Sequence, residues 1–315
     1  MIKKLVSRGE AAIFSITRPL KIKCVLIVAL LVVSLSLSTG CQQQQESISI
    51  KNEKPVSESA TLIITGSGVQ HQTKFTLDEL KSMEDALVSE CYSAINNWPA
   101  KKFYVARGIR ISYLLQKAGV KNTAQMIIVR AADGYNATFT RNQLAEKRFH
   151  FPNLLPGNEN GAREVPAILA WEYQQGTSDL SKIRSDRLCL FLGQKSLNDA
   201  VSPAYVKDVT SIEVLTSSPG QWDVVQAEPA PGKVKPGTGI VLNHPEQDQV
   251  KIYYTIDGTT PNEKSLVYNP STSYYQPDLI KPVMVDQAMI IKAIATGLGK
   301  YNSEVSTFLY EIDNS

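Results

Sequence analysis

Histidine is scarce in this chain: His71, His150 and His244 are the only three among 315 residues, and none has ligand spacing to another. That argues against a zinc site, which needs imidazole or thiolate ligands at short intervals. There is no G-x-S-x-G elbow, no phosphate-cradling glycine loop, no G-x-G-x-x-G fingerprint and no C-x-x-C-H haem motif. The usual hydrolase, nucleotide and haem chemistries therefore lack support. Cysteine is sparse as well, with four residues, of which only Cys91 and Cys189 lie beyond position 41. Outside the cytosol those two could form one disulfide if their Cα atoms come within about 7 Å.

What the N-terminus does contain is an export signal. Lys3, Lys4, Arg8, Arg18, Lys21 and Lys23 precede an apolar run, Cys24 to Leu37, of 14 residues. That is short for a bilayer span but fits the h-region of a signal peptide. The following Leu37-Ser-Thr-Gly-Cys41 resembles the lipobox of bacterial lipoproteins, although Ser38 stands where an aliphatic residue is commoner. The resemblance implies cleavage before Cys41 and a diacylglyceryl anchor on its sulfur, against the alternative of an uncleaved signal anchor. Residues 41–60, opening on Gln42-Gln-Gln-Gln-Glu46, have almost no apolar content and read as a disordered tether. The expected location is the outer face of a bacterial cell membrane. Residues 1–40 hold six of the 33 basic and one of the 30 acidic residues, leaving 27 and 29 and a formal charge of −2. With the basic excess confined to the leader, no nucleic-acid surface is expected.

Beyond the tether the chain divides at a Pro/Gly-rich stretch, residues 218–238, interrupted by Trp222 and Val224-Val225. In residues 61–217, strands are predicted at Leu62–Thr65, Met126–Arg130, Tyr135–Phe139, Ala167–Trp171, Leu188–Leu192 and Ile212–Val214. Thr76-Leu-Asp-Glu79 and Thr140-Arg-Asn-Gln143 are capping boxes. Ile111, Leu114, Leu115 and Ala118 share a helix face that closes at Gly119. Helices among short strands without regular βαβ alternation indicate an α+β unit.

A lone Cys91 in Glu90-Cys-Tyr-Ser-Ala-Ile-Asn-Asn, then Gly108-Ile-Arg-Ile-Ser-Tyr-Leu-Leu-Gln-Lys-Ala-Gly119, then Asp133-Gly-Tyr135, resembles the molybdopterin-binding domain of the sulfite oxidase family. Phe75-Thr-Leu-Asp-Glu-Leu80, Arg187–Gly193 and Ala204-Tyr-Val-Lys207 match later parts of the same pattern. The resemblance implies an α+β fold, a molybdenum–molybdopterin cofactor and two-electron redox or oxygen-transfer chemistry. Cys91 would be the thiolate ligand and catalytic centre. Lys207 would grip the anionic pterin, with Arg107, Asn96, Asn97 and Tyr205, which stands where the family has a His, as further contacts. The family's paired arginines after the Cys are missing here. Without a haem motif, electrons would leave through a partner protein.

Residues 239–315 read as all-β, with strand-like runs at Gly239–Leu242, Val250–Thr255, Ser265–Tyr268, Ala288–Ala295 and Val305–Tyr310. Ile252-Tyr-Tyr-Thr-Ile-Asp-Gly-Thr-Thr-Pro261, with Ile290-Ile-Lys-Ala-Ile-Ala295, resembles the C-terminal domain of chitobiase and β-hexosaminidase, a small immunoglobulin-like β-sandwich. The catalytic domain of those enzymes has no counterpart here, so Asp257 is expected to shape a turn. Tyr253, Tyr254, Tyr274 and Tyr275 are candidates for stacking on a cell-wall polysaccharide or for core packing. Three functions stay open: a lipid-anchored oxidoreductase, a non-catalytic binding or assembly lipoprotein, and a wall carbohydrate binder.

Overall fold

The computed structural model describes residues 61–269 and 280–315. The leader, the lipobox with Cys41, the tether, Tyr274 and Tyr275 lie outside the described residues. In chain order the first body holds β1 (Leu62–Thr65), β2 (Thr73–Phe75), α1 (Leu77–Ser82), β3 (Leu87–Ile95) and β4 (Lys101–Arg110). Then come α2 (Ile111–Lys117), β5 (Met126–Ala131), β6 (Asn136–Thr140), α3 (Arg141–Ala145), β7 (Phe149–His150), β8 (Arg163–Glu164), β9 (Ile168–Gln175), β10 (Ser185–Phe191) and β11 (Val209–Leu215). They build a five-stranded sheet, β2-β1-β11-β5-β6, a four-stranded antiparallel sheet, β10-β9-β4-β3, and a small β7-β8 ribbon. Ile64, Val129, Phe139 and Ile212 of the first sheet share one core with Tyr92, Tyr104, Leu169 and Phe191 of the second. Burial of these apolar faces is the main driving force for the arrangement.

This architecture corrects the expected α+β molybdopterin-binding fold: the first body is mostly β, its sheets packed in a sandwich-like way. Its helices have only six, seven and five residues. Both capping boxes form as read, Thr76 with Glu79 and Thr140 with Gln143. A cap supplies a helix start but not the apolar stripe that sustains further turns. Accordingly α1 buries only Leu80, and α3 buries only the cap residue Gln143. The stretch around Cys91 forms a long hairpin, with Cys91 opposite Val105 and Ser89 opposite Arg107. Cys91, Tyr92, Ser93, Ala94 and Ile95 are all buried, so this strand is covered on both faces and shows no polar–apolar alternation.

The second body holds β12 (Gln226–Glu228), β13 (Gly232–Val234), β14 (Thr238–Asn243), β15 (Val250–Thr255), β16 (Leu266–Val267), β17 (Val283–Val285), β18 (Met289–Gly297) and β19 (Ser306–Ile312). Its sheets, β12-β14-β17 and β13-β19-β18-β15-β16, enclose a second core around Ile240, Leu242, Ile252, Ile291, Phe308 and Tyr310. Within residues 218–238, β12 and β13 join these sheets, and Trp222 and Val225 are buried in the same core. Asp257 accepts from the Thr259 amide at 3.0 Å and the Thr259 hydroxyl at 2.6 Å, a turn-forming role.

The described residues of the two bodies form one compact unit. Its joint is the turn after β18: Leu298 packs against the first core, and Gln143 holds the backbone around it. Gln143 Nε2 donates to Gly297 O at 2.7 Å and Lys300 O at 3.1 Å. Its Oε1 accepts from Gly299 N at 2.9 Å and Thr140 N at 3.0 Å. Lys300 lies 4.1 Å over the Trp222 ring and pairs with Glu246 at 3.0 Å, tying the turn to the second body.

Candidate functional site

Cys91 is 6% exposed and its thiol donates to Ser178 O at 3.1 Å. Burial raises its pKa; Arg163 opposes that shift, while Glu90 and Asp179 add to it. The Arg163 guanidinium is itself paired with the Glu90 carboxylate. The sulfur is therefore a protonated thiol at neutral pH, engaged with a carbonyl rather than poised as a thiolate ligand. Cys189, fully buried in β10, has its thiol pushed up to about 12 by burial. Cys91 and Cys189 sit on the two outer strands of the four-stranded sheet, three strand spacings or roughly 14 Å apart across it and further offset along the strands. They are free thiols, and that separation is about twice what a disulfide spans.

The proposed cofactor contacts do not gather around Cys91. Lys207 is exposed and forms a bridge to Cys189, beyond the far edge of the sheet. Arg107 is held by Glu172 at 3.3 Å and Ser89 at 2.9 Å. Asn96 closes the β3–β4 turn, its side-chain oxygen accepting from Trp98 N at 3.0 Å and Ala100 N at 2.9 Å. Tyr205 is buried, donates to Leu192 O at 3.0 Å and packs its ring 4.8 Å from Phe191 and 5.3 Å from Tyr104. Among the described residues no group of three or more His, Cys, Asp or Glu is placed to hold a metal. A molybdopterin needs a thiolate beside a cationic, anion-gripping cavity, and these residues do not fit it.

Asn97 is different, because it reaches a cavity of about 370 Å³ where the two bodies meet. The first body contributes β6 and the loop from Lys195 to Pro203; the second contributes Asp248 through Tyr253, Glu263 and the turn after β18. Three cations, Arg148, Lys195 and Lys251, face three carboxylates, Asp199, Asp248 and Glu263. Arg148 is 3% exposed and donates to Gly193 O at 3.3 Å, Gln143 O at 3.2 Å and Asp199 at 3.4 Å. Its Nε is buried with no hydrogen-bond partner among the described residues. Lys195 pairs with Glu146 at 2.9 Å and Glu263 at 3.5 Å. Lys251, 8% exposed, donates to Asn269 O at 3.1 Å; burial lowers its pKa to about 8, with Asp199 acting against that shift. Burial also raises the Tyr253 hydroxyl, which stays neutral. Balanced charge, fixed donors and acceptors and apolar walls suit this cleft to holding a polar, uncharged molecule. Its lining comes from well-separated segments, so no local sequence pattern announces it.

His150, beside this region, is buried with its ring 6.0 Å from Phe103, and its Nδ1 has no partner among the described residues. Burial, with Arg163 adding, lowers its pKa from 6.5 to about 4. The folded-state value is the depressed one, so between pH 6.5 and 4 the unfolded chain binds a proton that the fold excludes. Stability should fall through that window by about 3 kcal/mol. Urea midpoints for His150→Gln should lose much of that dependence; parallel pH profiles in both proteins would remove His150 as its source.

A family model described as Fn3 associated matches residues 240–310. No curated protein matches the chain. Among solved structures, the chain is similar to the sulfane dehydrogenase SoxCD from Paracoccus pantotrophus at 12% identity and a TM-score of 0.32, over 76% of this chain and 68% of that one. It is also similar to the BSP domain of a biofilm-associated protein at 10% identity and a TM-score of 0.17, over 73% of this chain and 30% of that one. Likeness of that degree fixes neither fold nor activity. The sequence match does bear on the second body: where a chitobiase-type sandwich was expected, residues 240–310, from β14 into β19, are similar to Fn3-associated domains.

Proposed function

We propose that this is an exported, membrane-tethered protein of the bacterial cell surface that binds a component of the cell envelope rather than catalysing a reaction. The observation that carries the proposal is the Fn3-associated match over residues 240–310, in a β-rich body clamped to its neighbour through Gln143. A binding module gains from a rigid joint, because surfaces fixed in the free protein need not be ordered on association. The engaged Cys91 thiol and the distance to Lys207 add support by leaving the redox alternative without an assembled site. The leader and the lipobox at Cys41 supply the expected anchor. The full chain should sediment with purified cell-wall sacculi and saturate them. Full recovery in the supernatant at every protein concentration would contradict the proposal.

A further inference from the structure

We propose that the cleft between the two bodies is a binding site for a short, neutral oligosaccharide of one or two rings. This rests on the envelope-binding function above and gives that function a ligand class and a place. At about 370 Å³ the cleft lies near the lower end of the roughly 300–1,000 Å³ range of small-molecule sites. Its three cations and three carboxylates leave no net field to favour an ion of either sign, and ion pairs already engage Arg148, Lys195, Asp199 and Glu263. An anionic ligand would meet the carboxylates and a cationic one the guanidinium and ammonium groups, each at short range in a partly desolvated space.

A sugar avoids that conflict, because every hydroxyl both donates and accepts. Asp248 offers acceptors only, whereas Gln249 beside it and Asn136 and Thr138 from the first body present groups of both kinds. Pyranose rings also carry apolar faces, and Val201, Leu298 and the Tyr253 ring supply matching surface. Arg148 helps to fix one wall: it is almost fully buried, lines the cavity and donates to Gly193 O, Gln143 O and Asp199. The second body's wall is preformed at the turn that contributes Gly297 and Leu298, which Gln143 fixes.

The test is calorimetric titration of the full chain, in a detergent without a sugar headgroup, with cellobiose, maltose and chitobiose as probes. At least one should bind saturably. Asp248→Ala with Gln249→Ala, both on exposed residues, should weaken that binding at least tenfold without lowering the melting temperature, and Asn136→Ala should weaken it in the same direction. Ile290→Ser, on an exposed strand position that does not line the cleft, should leave it unchanged. Binding that ignores Asp248, Gln249 and Asn136 would overturn the cleft assignment while leaving the envelope-binding function intact. Silence towards all three probes, in a chain that still sediments with sacculi, would overturn the ligand class. Silence towards the probes and the sacculi together would overturn both proposals.

Discussion

Gly108→Ala should destabilise the fold by about 3 kcal/mol or more, a large effect for one methyl group. Gly108 sits in β4 where the register against β9 shifts between Arg107 and Gly108. A Cβ there would lie 2.1 Å from Leu169 O and 2.4 Å from Ala170 Cα. Both are backbone atoms of β9, which is paired on its other side with β10, so neither can rotate away as a side chain could. Relief would require parting the two middle strands of the sheet that carries Tyr92, Tyr104 and Phe191 into the core. Gly134→Ala is the matched control. Gly134 has φ +91° and nothing within 4 Å of an added Cβ, so only its backbone conformation opposes the change, at a cost of about 1 kcal/mol. Urea denaturation of both variants measures the difference. Equal losses would show that β4 and β9 have room the structure does not give them.

Gln143→Ala should cost about 3 kcal/mol and loosen the joint between the bodies. The side chain makes four hydrogen bonds, two closing α3 and the β18 turn through Oε1 and two reaching Gly297 and Lys300 through Nε2. Truncation leaves two backbone N–H groups and two carbonyls to find other partners, each worth about 1 kcal/mol net and more if it stays dry. Amide exchange at Gly299 and its neighbours should accelerate well beyond the change in global stability, because the loss is local. Exchange that rises uniformly through the chain, or a stability within about 0.5 kcal/mol of the parent, would show that Leu298 packing alone holds the joint.

Local chemistry in this chain was readable before its fold. The Thr76–Glu79 and Thr140–Gln143 boxes form with the atoms their spacing implies, because both partners lie within one turn. Val250–Thr255 is a strand with the bounds read from its residues, helped by the Asp257-Gly258 turn that follows closely. The β3–β4 hairpin was not readable, because a strand buried on both faces has no polar alternation to mark it. The order of motifs along the chain also could not say which sheet edge each would reach, and so Cys91 and Lys207 ended on opposite sides. Gln143 shows the same limit in one residue: its cap is local, but its bond to Gly297 spans 154 positions. Asn97 reaches a functional candidate for a reason its sequence context did not contain, since the cleft exists only once the second body is docked.

The measurement closest to the central claim is molybdenum bound per chain, for the parent protein and Cys91→Ser, both made in a host that synthesises the pterin cofactor. A thiol donating to Ser178 O, far from Lys207, should leave metal well below stoichiometric amounts and equal in the two proteins. About one molybdenum per chain in the parent, lost in Cys91→Ser, would contradict a binding role and restore the redox centre.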